Sequence, residues 1–354
     1  MVYECRHCSE KLNHKILDLG HQPPSNAYLK KNDLSSPEIR YPLTLFVCPN
    51  CWLVQLPSFT SAETLFTPDY AYFSSTSKSW CEHAQDFCSE AIHRLQLNSQ
   101  SLVIEIASND GYLLQYLNQK GIPNIGIEPT KGTAEAAKLK GIETIQKFFS
   151  SSLADELKFE NEKIKKGADL IIANNVLAHV PNINDFILGI KKLLNINGYA
   201  SIEFPHLLNL LQKNQFDTIY HEHYSYLSLS FVCRLANFVD LEVVDVDQLT
   251  THGGSLRVWL RHKGLGVISE KVKQVLSNEL KSGLENKNLE IYKKLEKTAT
   301  EVKNQLIQFL LDENKKGRKV VGFGAAAKGN TLLNYAGIRS DLIQEIADNA
   351  KSKQ

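Results

Sequence analysis

Val103-Ile104-Glu105-Ile106-Ala107-Ser108-Asn109-Asp110-Gly111 decides the fold. An apolar, β-branched run ends in small and polar residues and a glycine, and a helical pattern begins at Gly111. That is a strand feeding a helix through a tight turn. The step recurs at Ile125-Gly126-Ile127, followed by a helix across Ala134 to Leu139, and again at Asp169-Leu170-Ile171-Ile172-Ala173, followed by a helix from Asp185. Tyr199-Ala200-Ser201-Ile202 adds a further strand. Repeated strand–helix alternation predicts a doubly wound parallel sheet, an α/β Rossmann-like fold. Val243-Val244 and Leu256-Arg257-Val258-Trp259-Leu260 read as two more strands, with Gly253-Gly254 marking a turn between them.

Ligands of open α/β sheets bind at the carboxyl ends of the strands. The turn after the first strand lacks the G-x-G-x-x-G of dinucleotide enzymes: Ala107 and Asn109 stand where glycines would, and only Gly111 keeps full backbone freedom. That weakens a nicotinamide reading and favours S-adenosylmethionine, which has no pyrophosphate to seat. Glu105 and Asp110 supply carboxylates at this turn. Glu128, about twenty residues on at the end of the second strand, is placed to accept from ribose hydroxyls. Gln146 and the Phe148-Phe149 pair follow a third strand and are candidates to flank adenine, while Asn174-Asn175 closes the fourth beneath the methionine part. Each residue taken singly is an ordinary cap or core position; their order along four strand ends carries the inference.

Working outward, the first 60 or so residues hold two C-x-x-C pairs, Cys5/Cys8 and Cys48/Cys51, among short strand-like runs. So small a module needs a staple, and four thiolates in two turns suit a tetrahedral, closed zinc site that stabilises the fold. Cys81, Cys88 and Cys233 lack such partners and read as core residues. Residues 268–315 are charged and helical, with Val272, Val275, Leu280, Leu289, Leu295, Val302, Leu306 and Leu310 marking an apolar face. A last strand-turn-helix opens at Lys319-Val320-Val321-Gly322-Phe323-Gly324. Lys328, Asn330 and Thr331 follow, where helix N-terminal amides and an ammonium suit a diphosphate; the plainer reading is that the glycines only permit close packing.

The 354 residues suggest two or three domains, and 43% hydrophobic with 22% charged residues is ordinary globular composition. A net charge of +1 gives no field for nucleic acid, and the zinc module lacks a basic, aromatic-interleaved stripe. No apolar run approaches a membrane span of about 18 residues, and Met1-Val2-Tyr3-Glu4-Cys5 lacks the pattern of a secretory signal. The expectation is a cytoplasmic protein with no membrane or nucleic-acid partner.

Tyr220-His221-Glu222-His223-Tyr224-Ser225-Tyr226 gathers two imidazoles, a carboxylate and three phenols, and His179 follows the fourth strand. Removing a proton beside a ketone needs a base near neutrality and a donor to the enolate oxygen, which His and Tyr supply. A satisfied hydrogen-bond network and a second metal site on His221 and His223 are the alternatives. The chain resembles the sugar C-methyltransferases, the zinc-binding, S-adenosylmethionine-dependent C-3 methyltransferases of nucleotide-linked deoxysugars. The motifs are Cys5-Arg6-His7-Cys8, Leu17-Asp18-Leu19-Gly20, Pro23-Pro24-Ser25-Asn26, Cys48-Pro49-Asn50-Cys51-Trp52-Leu53-Val54-Gln55-Leu56, the Glu105–Gly111 turn, Tyr220 to Tyr224, Thr251-His252-Gly253-Gly254-Ser255, and Gly322-Phe323-Gly324-Ala325-Ala326-Ala327-Lys328-Gly329.

The resemblance implies a zinc-binding domain over 1–65, a methyltransferase domain over 66–265 and a C-terminal α/β domain over 266–354 that helps hold a nucleotide-linked 4-keto sugar. It implies His223 as the base at C3, Tyr220 as the enolate's partner, Glu222 and His179 as orienting groups, and Tyr72 and Tyr224 near the substrate. Family members continue past the segment matching Ala347-Asp348-Asn349, so the last domain is expected to be incomplete. The competing functions are O- or N-methylation, which needs no enolate stabiliser, and a zinc- and cofactor-binding protein without turnover.

Overall fold

Val103–Ile106, buried at all four positions, is the inner strand of a seven-stranded sheet in the computed structural model, which describes residues 3–25, 29, 31–59 and 73–349. Tyr72 lies outside the described residues. The spatial order is Leu241–Leu249, Ser255–His262, Leu194–Pro205, Ala168–Asn174, Val103–Ile106, Asn124–Ile127 and Thr144–Ile145. The last five are mutually parallel. From Val103–Ile106 the chain steps outward to one side through two strands, then crosses back to Ala168–Asn174 on the other, so the order reverses at this strand. That reversal makes the crevice in which open α/β sheets bind ligands.

The two strands expected near the end of this domain form, with an arrangement periodicity alone does not reveal. Ser255–His262 slots between Leu194–Pro205 and Leu241–Leu249, antiparallel to both. Its first six residues are buried, because it is an interior strand and not an edge. Helix Lys78–Leu95, capped by Ser77, lays Ala84, Phe87, Cys88 and Ala91 over Val103, Leu170, Ile172 and Trp259. Of the three other cysteines, Cys88 is a core residue, and burial pushes its thiol up; Cys81 and Cys233 are only half-buried. This sheet with its helices forms one compact unit, Phe66–Pro205 with Leu229–Leu276.

The other unit joins Met1–Leu65, His206–Ser228 and Ser277–Gln354. Its antiparallel sheet runs His14–Gln22, Tyr41–Val47, Val54–Gln55 and Ser225–Tyr226. The long helix Glu290–Lys315 packs Tyr292, Leu295 and Ala299 into a core with Leu17, Leu43, Leu45 and Leu207. Leu280, expected on the apolar face, is 67% exposed, and Tyr292 and Ala299 are fully buried instead. Helix Glu270–Lys281 buries Val272, Val275 and Glu279, which leaves Leu280 beside that line, and the apolar stripe restarts in the separate helix Glu290–Lys315. A parallel pair, Gly322–Phe323 with Ile346–Ala347, and helix Ala327–Ala336 form the C-terminal α/β element.

Candidate active site

The four cysteines converge. Their sulfurs all lie within 4.8 Å of one another, with Cys5 to Cys51 and Cys8 to Cys48 at 3.5 Å. Each pair sits on the same turn: the residue after the second cysteine, Ser9 or Trp52, is left-handed (φ +59° and +64°) and donates its N–H to the first cysteine's carbonyl. Hydrogen bonds from Cys48 and Cys51, and one from the Gln55 amide at 3.1 Å, hold the Cys5 thiol far below its ordinary value. That stabilises one thiolate, at Cys5, while the coupled thiols of Cys48 and Cys51 are pushed up; four converging sulfurs fit a tetrahedral zinc ion and leave no open position for substrate.

The turn after Val103–Ile106 has the backbone of a glycine-rich loop. Ala107, Asn109 and Gly111 are all left-handed, at φ +56°, +51° and +71°. Strain at Asn109 is offset by a fixed contact, and its neighbour Asp110 is tied down as well. The Asn109 side chain accepts from Ser74 N–H at 2.9 Å, and Asp110 binds Lys140 at 3.1 Å and the Ser75 hydroxyl. Asp110 therefore braces the loop. Gly126 is obligatory on the neighbouring strand, since a Cβ there would collide with the Ser108 hydroxyl. Glu128 is buried, its two oxygens accepting from Asn109 and Thr130 N–H, both at 2.9 Å.

Several polar atoms at these strand ends are buried without a protein partner: Glu105 Oε2, Ser108 Oγ, Asn174 Oδ1 and both side-chain ends of Asn175. Leaving such groups unpaired is costly, so they mark where a polar ligand belongs, and they fit the amino-acid part of S-adenosylmethionine. Asn175, left-handed at φ +53°, belongs to the asparagine doublet expected beneath the methionine part; Ser108 is given no role by the sequence, where a serine between two glycine-like positions is the available signal. Gln146 and Phe148 stand exposed just past Thr144–Ile145, whereas Phe149 turns inward against Phe186 at 5.4 Å, so the phenylalanines do not act as a pair.

Burial, then the Glu128 and Asp110 carboxylates, raise the Glu105 carboxyl well above its ordinary value. The folded, cofactor-free protein thus holds a proton that the unfolded chain has released. Stability falls as pH climbs from the ordinary carboxyl value to the raised one, and the penalty is complete above it. Glu105→Gln is expected to raise the melting temperature of the cofactor-free protein at neutral pH and to weaken cofactor binding about tenfold. Thermal unfolding across pH and calorimetric titration check both; a variant that melts lower and binds normally contradicts this role.

In the other unit, His223 Nδ1 donates to the Thr218 carbonyl at 3.0 Å, so Nε2 is the nitrogen that accepts a proton. Tyr220 lies against the ring, centroids 4.1 Å apart, and Tyr226 meets it edge-on at 6.1 Å. Glu222 is buried and accepts from the Ser25 hydroxyl at 2.6 Å. His221 differs: its Nε2 faces the Tyr41 carbonyl at 3.3 Å, its Nδ1 is buried without a partner, and burial lowers its pKa. Of the two imidazoles, His223 therefore has the tautomer and setting of a base. Among the described residues only the four cysteines cluster as metal ligands, which leaves the second metal site on His221 and His223 without support.

Tyr224 is buried beneath the Arg6 guanidinium, 5.2 Å from its ring centre, and its carbonyl accepts from Leu56 N–H at 3.0 Å. Lys328 and Asn330 lie in the first turns of helix Ala327–Ala336, with Lys328 exposed. Thr331 is buried and donates to the Ile219 carbonyl at 3.0 Å, so it anchors the helix and does not face a phosphate. His179 ends a short turn, Leu177–His179, beyond Ala168–Asn174 in the sheet unit, and is half-buried.

Three family models match: "Putative zinc binding domain" over residues 5–66, "Methyltransferase domain" over 80–246 and "C-methyltransferase C-terminal domain" over 250–354. The C-methyltransferase NovU of Streptomyces niveus is 30% identical over 354 residues, covering 100% of this chain and 83% of that protein. Among solved structures, an S-adenosylmethionine-dependent methyltransferase from Clostridium acetobutylicum aligns at 12% identity with a TM-score of 0.41, over 52% of this chain and 92% of that one. One from Anabaena variabilis aligns at 15% identity with a TM-score of 0.39, over 50% and 84%. The chain belongs to the C-methyltransferase family that its motifs resemble, and is an S-adenosylmethionine-dependent enzyme with a structural zinc that methylates carbon.

Proposed function

We propose that the enzyme methylates C3 of a nucleotide-linked 4-keto deoxysugar. The observation that carries this reading is the His223–Thr218 hydrogen bond beside the Tyr220 ring, which pairs a proton-accepting nitrogen with a phenol. The keto group acidifies the neighbouring C–H. His223 Nε2 takes that proton, and the electron pair moves onto the carbonyl oxygen, where the Tyr220 hydroxyl donates to it. Glu222, fixed by Ser25, and His179 orient sugar and base. Tyr72 is assigned to the substrate by the resemblance, Tyr224, its ring buried beneath Arg6, holds the segment in place, and Lys328 and Asn330 receive the diphosphate.

When bound, S-adenosylmethionine supplies an electrophilic methyl group. Glu105, Ser108 and Asn174 would hold its amino-acid part, Glu128 its ribose, and Gln146 and Phe148 its adenine, with Ala107, Asn109 and Gly111 shaping the loop beneath. A sequential division into 1–65, 66–265 and 266–354 and a cytoplasmic setting belong to the same proposal; no helix among the described residues is long and apolar enough to cross a membrane.

The test is incubation with nucleotide-linked 4-keto sugars in heavy water, read by mass spectrometry. Deuterium entering beside the ketone without cofactor, and a carbon-bound methyl with it, is the expected result. Methylation with no exchange under any condition would remove the base-first step.

A further inference from the structure

The Thr251-His252-Gly253-Gly254 motif is not used by the proposed chemistry, yet the fold spends several buried charges on fixing it. The turn sits at the start of Ser255–His262, whose first residue pairs with Pro205 at the carboxyl end of Leu194–Pro205. It therefore stands on the ligand-binding edge of the sheet. His252, Gly253 and Gly254 are left-handed in succession, at φ +52°, +85° and +120°. Two glycines adopt such angles freely; a histidine does so under strain, and strain in an exposed residue at a ligand edge points to function.

The turn is held from below by Glu203, which is fully buried. Its carboxylate accepts from Thr251 Oγ1 at 3.1 Å and from Arg257 Nη2 at 2.9 Å, and meets His83 Nε2 at 2.9 Å. Arg257 and His83 keep Glu203 ionised, its pKa lowered despite burial. Three partners, from the helix, the turn and the strand, thus converge on one carboxylate. Trp80 links them to the cofactor loop: it stacks on His83 at 4.9 Å and on Tyr112, next to Gly111, at 6.0 Å, and meets the His252 ring edge-on at 5.0 Å.

Position along the sheet tells which ligand the turn serves. In the cofactor reading proposed above, on which this step rests, ribose and adenine lie over Asn124–Ile127 and Thr144–Ile145, and the amino-acid part over Val103–Ile106 and Ala168–Asn174. Leu194–Pro205 and Ser255–His262 come next, on the side away from adenine. We propose that His252 is a specificity-determining contact to the methyl acceptor, hydrogen bonding a ring hydroxyl or carbonyl oxygen, and that Glu203 is the residue that positions it.

His252→Gly separates this role from a structural one, because glycine accepts φ +52° without strain and lacks only the imidazole. The acceptor is whichever nucleotide-linked keto sugar the natural enzyme methylates. The variant should melt no lower than the natural protein and keep its calorimetric affinity for S-adenosylmethionine, while the acceptor KM rises about tenfold, the scale of one lost hydrogen bond. His252→Asn, which tolerates the left-handed backbone and keeps a donor, should recover part of the loss. Glu203→Gln should raise KM in the natural background and add nothing in the His252→Gly background. An unchanged acceptor KM in His252→Gly overturns this inference alone; failure of the natural enzyme to methylate any keto sugar overturns the substrate reading and this inference with it.

Discussion

His223→Asn is expected to lower turnover by about a thousandfold, within the range a positioned general base contributes, while leaving cofactor affinity unchanged. Asparagine is the informative replacement because its side-chain N–H occupies the place of Nδ1 and can still donate to the Thr218 carbonyl. The local backbone is thereby preserved, and only the proton-accepting nitrogen is lost. Exchange of the C3 hydrogen into heavy water should fall in parallel with methylation, since both need the same proton removal. Tyr220→Phe should reduce both by about a hundredfold, because a donor to a developing oxyanion supports the same step. His221→Asn belongs beside them as a control: its Nδ1 is walled off and its Nε2 faces Tyr41, so it affects stability and not the exchange step. Full exchange in His223→Asn would return the base assignment to another group.

Much of this was legible in the sequence because the signals were local. The strand-to-helix turn at Glu105–Gly111 announces itself by small residues after a β-branched run, and the left-handed angles at Ala107 and Asn109 bear out the glycine-like reading. The two C-x-x-C pairs announce a common ion because each pair is a turn complete in itself. What could not be read were choices made by tertiary contact. Thr331 looks like a phosphate ligand in its motif, yet its hydroxyl goes to Ile219, more than a hundred residues away. Leu280 lies on the surface because its own helix buries Val272, Val275 and Glu279 instead, and Tyr292 is buried by a second helix that the pattern does not separate. The resemblance implies His223 as the base, but the surroundings of the two imidazoles, Thr218 for His223 and Tyr41 for His221, are set by contacts that the motif does not contain. Glu203 carries no motif of its own; its meaning comes from His83, Thr251 and Arg257, each far from it along the chain.

Loss of the zinc should cost the enzyme its turnover although the ion touches no substrate. Gln55, which donates to Cys5 Sγ and accepts from Arg6 N–H, lies in the strand Val54–Gln55 that pairs with Ser225–Tyr226. Leu56 N–H then holds the Tyr224 carbonyl, and Arg6 covers the Tyr224 ring. The segment that carries Tyr220, Glu222 and His223 is therefore stitched along the back of the metal knuckle. A structural zinc is worth roughly 10 kcal/mol to a small domain, comparable to the entire stability of about 5–15 kcal/mol of a folded protein. Cys51→Ala, or exhaustive chelation, should remove one zinc per chain by elemental analysis, lower the melting temperature steeply and abolish both methylation and C3 exchange. The residues proposed to hold the cofactor are all in the sheet unit, so calorimetric binding of S-adenosylmethionine should survive in the same sample. That split is the decisive reading: a zinc-free protein that still exchanges C3 hydrogen would show that the knuckle does not set the geometry of His223.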